Sequence, residues 1–306
     1  MRVPGILAVA GVIVAASGLV LTQAPGAGRQ RPARTPAQMA EAARAHDEMM
    51  KMARPIDAID SVWMEELTWL EVRDAIAGGK TTVIVPTGGI EQNGPYLVTG
   101  KHNYLNRALC EAIARKLGNA LCGPNVPFVP GGDIDPPTGM MRFHGTISVT
   151  EPTFRALLTD IASSLKTHGF QHIVFIGDSS DNQPGMKHVA QELSARWPGG
   201  RTKIHYVPEF YDYPGARKFS NERFGWKEVS EGHHDSALSS AMIVAVNPDL
   251  ARIKQRIAKN KASINAIPLV PVDRAVEWGR TIIDYRAGVT VAAIRKAVAG
   301  TATSAP

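Results

Sequence analysis

Residues 81–118 read TTVIVPTGGIEQNGPYLVTGKHNYLNRALCEAIARKLG, and their pattern decides the fold. The uncharged run 81–88 predicts a buried strand, and the stretch from Asn103 has the spacing of an amphipathic helix. Between them lies a polar loop carrying Glu91, Gln92 and Asn93 among glycines. Strand, polar loop and helix in that order form the unit from which parallel sheets are built.

The same alternation continues on both sides. Helix-like TWLEVRDAIAGG (68–79) comes before the strand, and the short apolar VPFVP (126–130), read as another strand, follows the helix. EPTFRALLTDIASSLKTHG (151–169) leads into HIVFIGDS (172–179), and QPGMKHVAQELSARW (183–197) into TKIHYVPEFY (202–211). Short apolar strands separated by amphipathic helices predict an α/β protein, a three-layer αβα sandwich with a mostly parallel sheet.

The 306 residues suffice for one large domain with appendages. A net charge of +6, with no basic stripe interleaved with aromatics, argues against nucleic-acid binding. At the start, the apolar run 5–21 follows a single Arg2 and precedes the small residues Thr22, Ala24 and Ala27, which predicts an export signal over 1–27. An uncleaved anchor is the other reading of that run, and the only membrane contact expected. Either reading puts the folded part outside the cytoplasm, in the periplasm or secreted. A Pro-, Gly- and Arg-rich linker and a helix over 28–60 come next, with Thr35 as N-cap and Pro36 at the first helical position. The main domain is expected over 61–300 and a frayed tail over 301–306. Cys110 and Cys122 are either a disulfide pair or two core thiols.

In parallel α/β folds ligands gather at the loops that leave the carboxyl ends of strands. That rule selects the loop with Glu91 and Asn93 and the loop with Asp178, Ser179, Asp181 and Asn182. A third cluster, His233, His234 and Asp235, precedes the helical stretch ALSSAMIVA, and His102 opens the helix after the first loop. In that third cluster, two imidazoles and a carboxylate are expensive to bury without partners. Singly, each of these residues also suits a turn or a cap; Asp235, for one, would cap the helix that starts near Ala237. His144, His168, His172, His188 and His205 read as surface or packing residues.

Four segments carry a family resemblance, in order, from about Leu67 to Leu250: PTGGIEQNGPYLVTGKHNY, FHGTISVT, HGFQHIVFIGDSSDN and HDSALSSAMIVAVNPDL. They resemble the creatininase family of amidohydrolases. Its first segment typically reads Gly-Ser-x-Glu-Gln-His-Gly-x-His-Leu-Pro-x-x-Thr-Asp. The resemblance implies cleavage of a cyclic or linear non-peptide C–N bond in a small polar substrate by a metal-activated water, with lactones also admissible, and a homo-oligomer. Glu91 matches the family's first metal ligand, but Asn93 and His102 stand where it has a ligand His and a ligand Asp. On the second loop Ser179 replaces a ligand His, and Asp181 falls where creatininase itself has a ligand Glu. His234 matches the acid–base His, whereas Ser239 replaces a Glu.

The resemblance therefore implies a rebuilt site. Glu91, His102, Asp178 and Asp235 would bind one or two divalent ions, zinc or manganese, and His234 and Asp181 would move protons. Asn93, Ser179, Asn182, Tyr211 and Trp226 would contact substrate, with Tyr211, Tyr213 and Trp226 flanking a lid-like stretch. Two other readings stand beside this one. One is an exported ligand-binding protein on the same scaffold. The other is a serine hydrolase built on Gly177-x-Ser179, half of a nucleophile elbow that lacks its closing Gly.

Overall fold

A computed structural model describes residues 35–302, without the side chains of 301 and 302. The segment expected to direct export, most of the linker and residues 303–306 lie outside the described residues. The described residues fall into two compact units, divided between Ala53 and Arg54. In the first, α1 (Pro36–Lys51) starts where expected. The Thr35 hydroxyl accepts from the Gln38 N–H, the Gln38 side chain accepts from the Thr35 N–H, and Pro36 opens the helix.

The second unit begins with α2 (Trp69–Ala77), capped by Thr68 and Glu71 in the same reciprocal way. There follow β1 (Thr82–Thr87), α3 (Lys101–Leu117), β2 (Ala120–Cys122), α4 (Glu151–Thr167), β3 (His172–Gly177), α5 (Gln183–Arg196) and β4 (Lys203–Tyr206). The four strands form one parallel sheet in the order β2-β1-β3-β4. Every residue of β1 is buried, as a central strand covered on both faces requires. The remaining helices are α6 (Tyr213–Phe224), α7 (Ala237–Val246), α8 (Ile253–Ala258) and α9 (Val272–Ala302). A two-residue hairpin of β5 (Ser263–Ile264) and β6 (Ile267–Pro268) lies between the last two.

Alternation along the strands divides the core in two. Ile84, Val174 and Ile176 face α3, α7 and α9, while Val83, Val85, Ile173 and Phe175 face α4 and α5. The three-layer sandwich is thus as expected. The segment 126–130 is not the expected strand, since only Val126 makes a bridge, to Thr87. Pro127 and Pro130 have no N–H to give a ladder, and Ala120–Cys122 takes the edge position instead. Cys110 on α3 and Cys122 on β2 are joined as a disulfide, tying helix to edge strand.

The long helix α9 packs tightly on α7. A Cβ at Gly279 would run into the Ala241 carbonyl, so glycine permits the close crossing. That packing carries the middle of α9 beneath the carboxyl end of the sheet.

Candidate active site

The loops leaving β1 and β3, the segment before α7 and the start of α6 surround a crevice of about 470 Å³ at the carboxyl end of the sheet. Its floor is a chain of hydrogen bonds. The His102 ring, in the first turn of α3, lies between two carboxylates. Nδ1 is 2.8 Å from Asp178 Oδ2 and Nε2 is 2.7 Å from Glu91 Oε1. For both contacts to be hydrogen bonds, each must hold a hydrogen, on the ring or on the carboxyl.

Asp178 follows β3 directly and is fully buried. Arg286 Nη2, from α9, donates to its Oδ1 at 2.9 Å and to the Phe210 carbonyl at 2.8 Å, and the Tyr213 hydroxyl lies 3.1 Å from both carboxylate oxygens. Burial alone would raise the Asp178 carboxyl, but Arg286 and His102 hold it well below the usual carboxylate range. Glu91 follows the same logic: burial pushes it up, and the His102 hydrogen bond and charge bring it below its ordinary value. Burial beside Asp178 pushes the Tyr213 phenol far up, so it serves as a donor that holds the carboxylate.

Lys101 also lines the crevice, with 5% of its surface exposed. Among the described residues it has no hydrogen-bond or ion-pair partner. Burial pushes its amine below the ordinary lysine range, against the opposing charges of Asp178, Glu91 and Asp235.

His234 and Asp235 form the opposite wall. His234 adopts a left-handed backbone, φ 57°, a strained state for a residue with a Cβ. Its Nδ1 is 2.9 Å from the Gln92 carbonyl, which can only accept, so Nδ1 carries the hydrogen and Nε2 is the other, unbonded ring nitrogen. Gln92 in turn donates to the His233 carbonyl at 2.8 Å, clasping the two loops together. Both Asp235 oxygens are buried without a hydrogen-bond partner among the described residues, and burial together with Glu231 raises the carboxyl. The cap of α7 is not Asp235 but Ser236, whose hydroxyl accepts from the Ser239 N–H.

Glu91, His102, Asp178, Ser179, Asp181, Tyr211, His234 and Asp235 thus meet in one crevice, whereas three other candidates do not line it. Asn93 is buried, its amide directed at the Glu91, Val98 and Thr99 carbonyls, where it shapes the loop. Asn182 is buried too, pinning β1 through Thr87 and Gly88. Trp226 packs against Phe224 and Trp278 in the core rather than closing a lid, while Tyr211 and Tyr213 do reach the crevice. The Ser179 hydroxyl accepts from the Asp181 N–H, and among the described residues no imidazole bonds it, so the serine reading lacks its base.

Lys101, Arg286 and the exposed Arg217 also belong to the site, and none of them is among the residues singled out from the sequence. A signal existed for Arg286 alone, as a cation inside the apolar helical stretch around 282–294.

The family model described as creatinine amidohydrolase matches residues 65–303. The chain belongs to the creatininase family. A creatinine amidohydrolase from Pseudomonas putida is 25% identical over 224 residues, covering 70% of this chain and 83% of that protein. Two solved creatininases, a zinc–zinc form of a mutant and a manganese form, superpose with TM-scores of 0.57 and 0.56. They are 21% and 22% identical, and each alignment covers 78% of this chain and 98% of theirs. Membership in this family of amidohydrolases makes the chain an enzyme of that class.

The crevice does not fit the zinc or manganese that those two creatininases carry. Among the described residues no group of three or more His, Cys, Asp and Glu is arranged to hold a metal ion. Glu91, His102 and Asp178 do converge, as the rebuilt site required, but they bind one another. Both His102 nitrogens and both Asp178 oxygens are already engaged. Two buried cations, Lys101 and Arg286, stand beside them.

Proposed function

We propose that the crevice hydrolyses the amide C–N bond of a small polar substrate, cyclic or linear, through groups supplied by the protein. One observation carries this reading: the Asp178–His102–Glu91 chain sits at the carboxyl end of β1 and β3, facing His234 across a cavity of small-molecule size.

The roles follow from the atoms. With Nδ1–H held on the Gln92 carbonyl, His234 Nε2 is the atom that takes a proton from water. The water oxygen then bonds to the amide carbon, and the carbonyl becomes an oxyanion. His234 passes the proton to the leaving nitrogen, the C–N bond breaks, and an acid and an amine remain. Arg286, Tyr213 and His102 fix Asp178, and through it the floor, so the polar groups do not reorganise during the reaction. Asp181 and Tyr211, at the crevice wall, are placed to hold the substrate's polar edges.

The test is a panel of creatinine, five- and six-membered lactams, hydantoins, linear amides and lactones, with products read by mass spectrometry. Ring opening or amine release by the wild type, with kcat lower by about 10²-fold or more in His234→Gln, supports the reading. A folded wild type that cleaves none of them refutes it. We also propose an extracytoplasmic location, supported by the apolar run 5–21 and by the Cys110–Cys122 disulfide.

A further inference from the structure

We infer that the active site works without a divalent metal, because the His102 ring bridges the two carboxylates, Glu91 and Asp178, that would bind zinc or manganese, and the buried Lys101 amine stands beside them. The inference rests on the reading of the crevice as an active site and states what replaces the cation there.

Distances argue first. A zinc between a carboxylate oxygen and an imidazole nitrogen holds each at about 2.0–2.2 Å, so the two ligand atoms stand roughly 3 Å or more apart. Glu91 Oε1 and His102 Nε2 are 2.7 Å apart, the separation of a direct hydrogen bond. Opening that gap means turning the ring, and the ring is also gripped at Nδ1 by Asp178, itself held by Arg286 and Tyr213. Charge argues next. Glu91, Asp178 and Asp235 would be the anionic share of a metal site, yet the Arg286 guanidinium already neutralises Asp178, the His102 ring joins Asp178 to Glu91, and Asp235 alone keeps both oxygens without a hydrogen-bond partner among the described residues. A divalent ion would meet buried Lys101 and Arg286 in a medium where repulsion is poorly screened.

Lys101 completes the argument. Nine-tenths or more buried, without an ionic or hydrogen-bonded partner among the described residues, it borders the space that the substrate enters. A buried amine without a hydrogen-bonded partner is expensive, and beside the carboxylates of the floor it is placed to donate to negative charge that develops on a substrate during the reaction. The oxyanion of a hydrolysed amide is such a charge. The sequence positions agree: Lys101-His102 stands where the family's motif reads Thr-Asp, so one step along the chain places an amine and an imidazole at a ligand position.

The experiment measures metal before activity. The full chain is expressed in medium supplemented with zinc and manganese, purified without chelator and assayed by elemental analysis, then by equilibrium dialysis against Zn²⁺ and Mn²⁺. Glu91→Gln locates any metal found. We expect no uptake that depends on Glu91, and metal that persists in Glu91→Gln lies elsewhere and agrees with the inference. Stoichiometric metal in the wild type that Glu91→Gln abolishes overturns it. The variant Asn93→His/Lys101→Thr/His102→Asp is expected to gain Zn²⁺ affinity by about tenfold or more, the lower end of what shell changes do at metal sites. A folded triple variant with no gain counts against the inference; if it does not fold, Lys101→Met decides the role of the amine. That single variant is expected to lower kcat by about 10²-fold with KM little changed, and unchanged kcat overturns the role. Metal content is read whether or not a substrate is found, so failure of the hydrolase reading and failure of this inference leave different signatures.

Discussion

Arg286 Nη2, midway along the longest helix, lies 2.9 Å from Asp178 Oδ1 at the end of a central strand, and both side chains are buried. The pair joins the outer helix layer to the catalytic floor. Removing one partner strands the other charge in a medium that cannot solvate it. Arg286→Met is therefore expected to destabilise the fold by about 3–5 kcal/mol, and Arg286→Met/Asp178→Asn by less than the sum of the single changes. Urea unfolding of the three variants checks this, and additive losses would contradict it.

Gly94 has φ 69°, and a Cβ there would collide with the Asp235 carboxylate. Gly94→Ala combines an unfavourable backbone with a displaced crevice wall. A loss of about 1–3 kcal/mol is expected, together with a larger fall in hydrolysis than Gly79→Ala produces, where a Cβ meets nothing. Equal effects of the two substitutions on hydrolysis would contradict the close approach.

Away from the site, His172 Nδ1 and His205 Nε2 are 3.1 Å apart at the other end of the sheet. Burial, with the neighbouring His172 charge, lowers His205 from its ordinary 6.5 to about 4. Between those values the unfolded chain binds a proton that the folded chain does not. Stability thus falls as pH drops below about 6.5, by up to about 1.4 kcal/mol per pH unit, and the loss levels off below about 4. His205→Gln should flatten that dependence in denaturant titrations across the range; an unchanged slope would contradict the assignment.

The Cys110–Cys122 bond closes a loop of 12 residues between α3 and β2. Cys110→Ala/Cys122→Ala is expected to lower stability by about 3 kcal/mol. Thermal unfolding with and without reductant checks it: wild type should respond to reductant and the variant should not.

The layered fold was legible because strand β1 and helix α3 announce themselves by period, and because loops at carboxyl strand ends are where ligands collect. Segment 126–130 reads as a strand by its apolar residues, but Pro127 and Pro130 leave it only the Val126 bridge. Within the site, Glu91, Asp178 and His234 were legible from loop position and motif. Asn93, Asn182 and Trp226 were not separable from substrate contacts, since an amide that binds backbone carbonyls and one that binds a ligand look alike in sequence. Arg286 stands 108 residues from Asp178, and no local pattern links residues at that distance. Lys101 was hidden by its neighbour, since at the start of a helix a lysine reads as surface until its burial is known.

The most direct measurement is hydrolysis of the best substrate from the amide panel by wild-type protein whose zinc and manganese content has been determined after chelator dialysis. We expect turnover to persist in metal-free protein, to be unaffected by added Zn²⁺ or Mn²⁺, and to fall by about 10²-fold in Lys101→Met. Turnover that vanishes on chelation and returns in proportion to added metal would contradict the account.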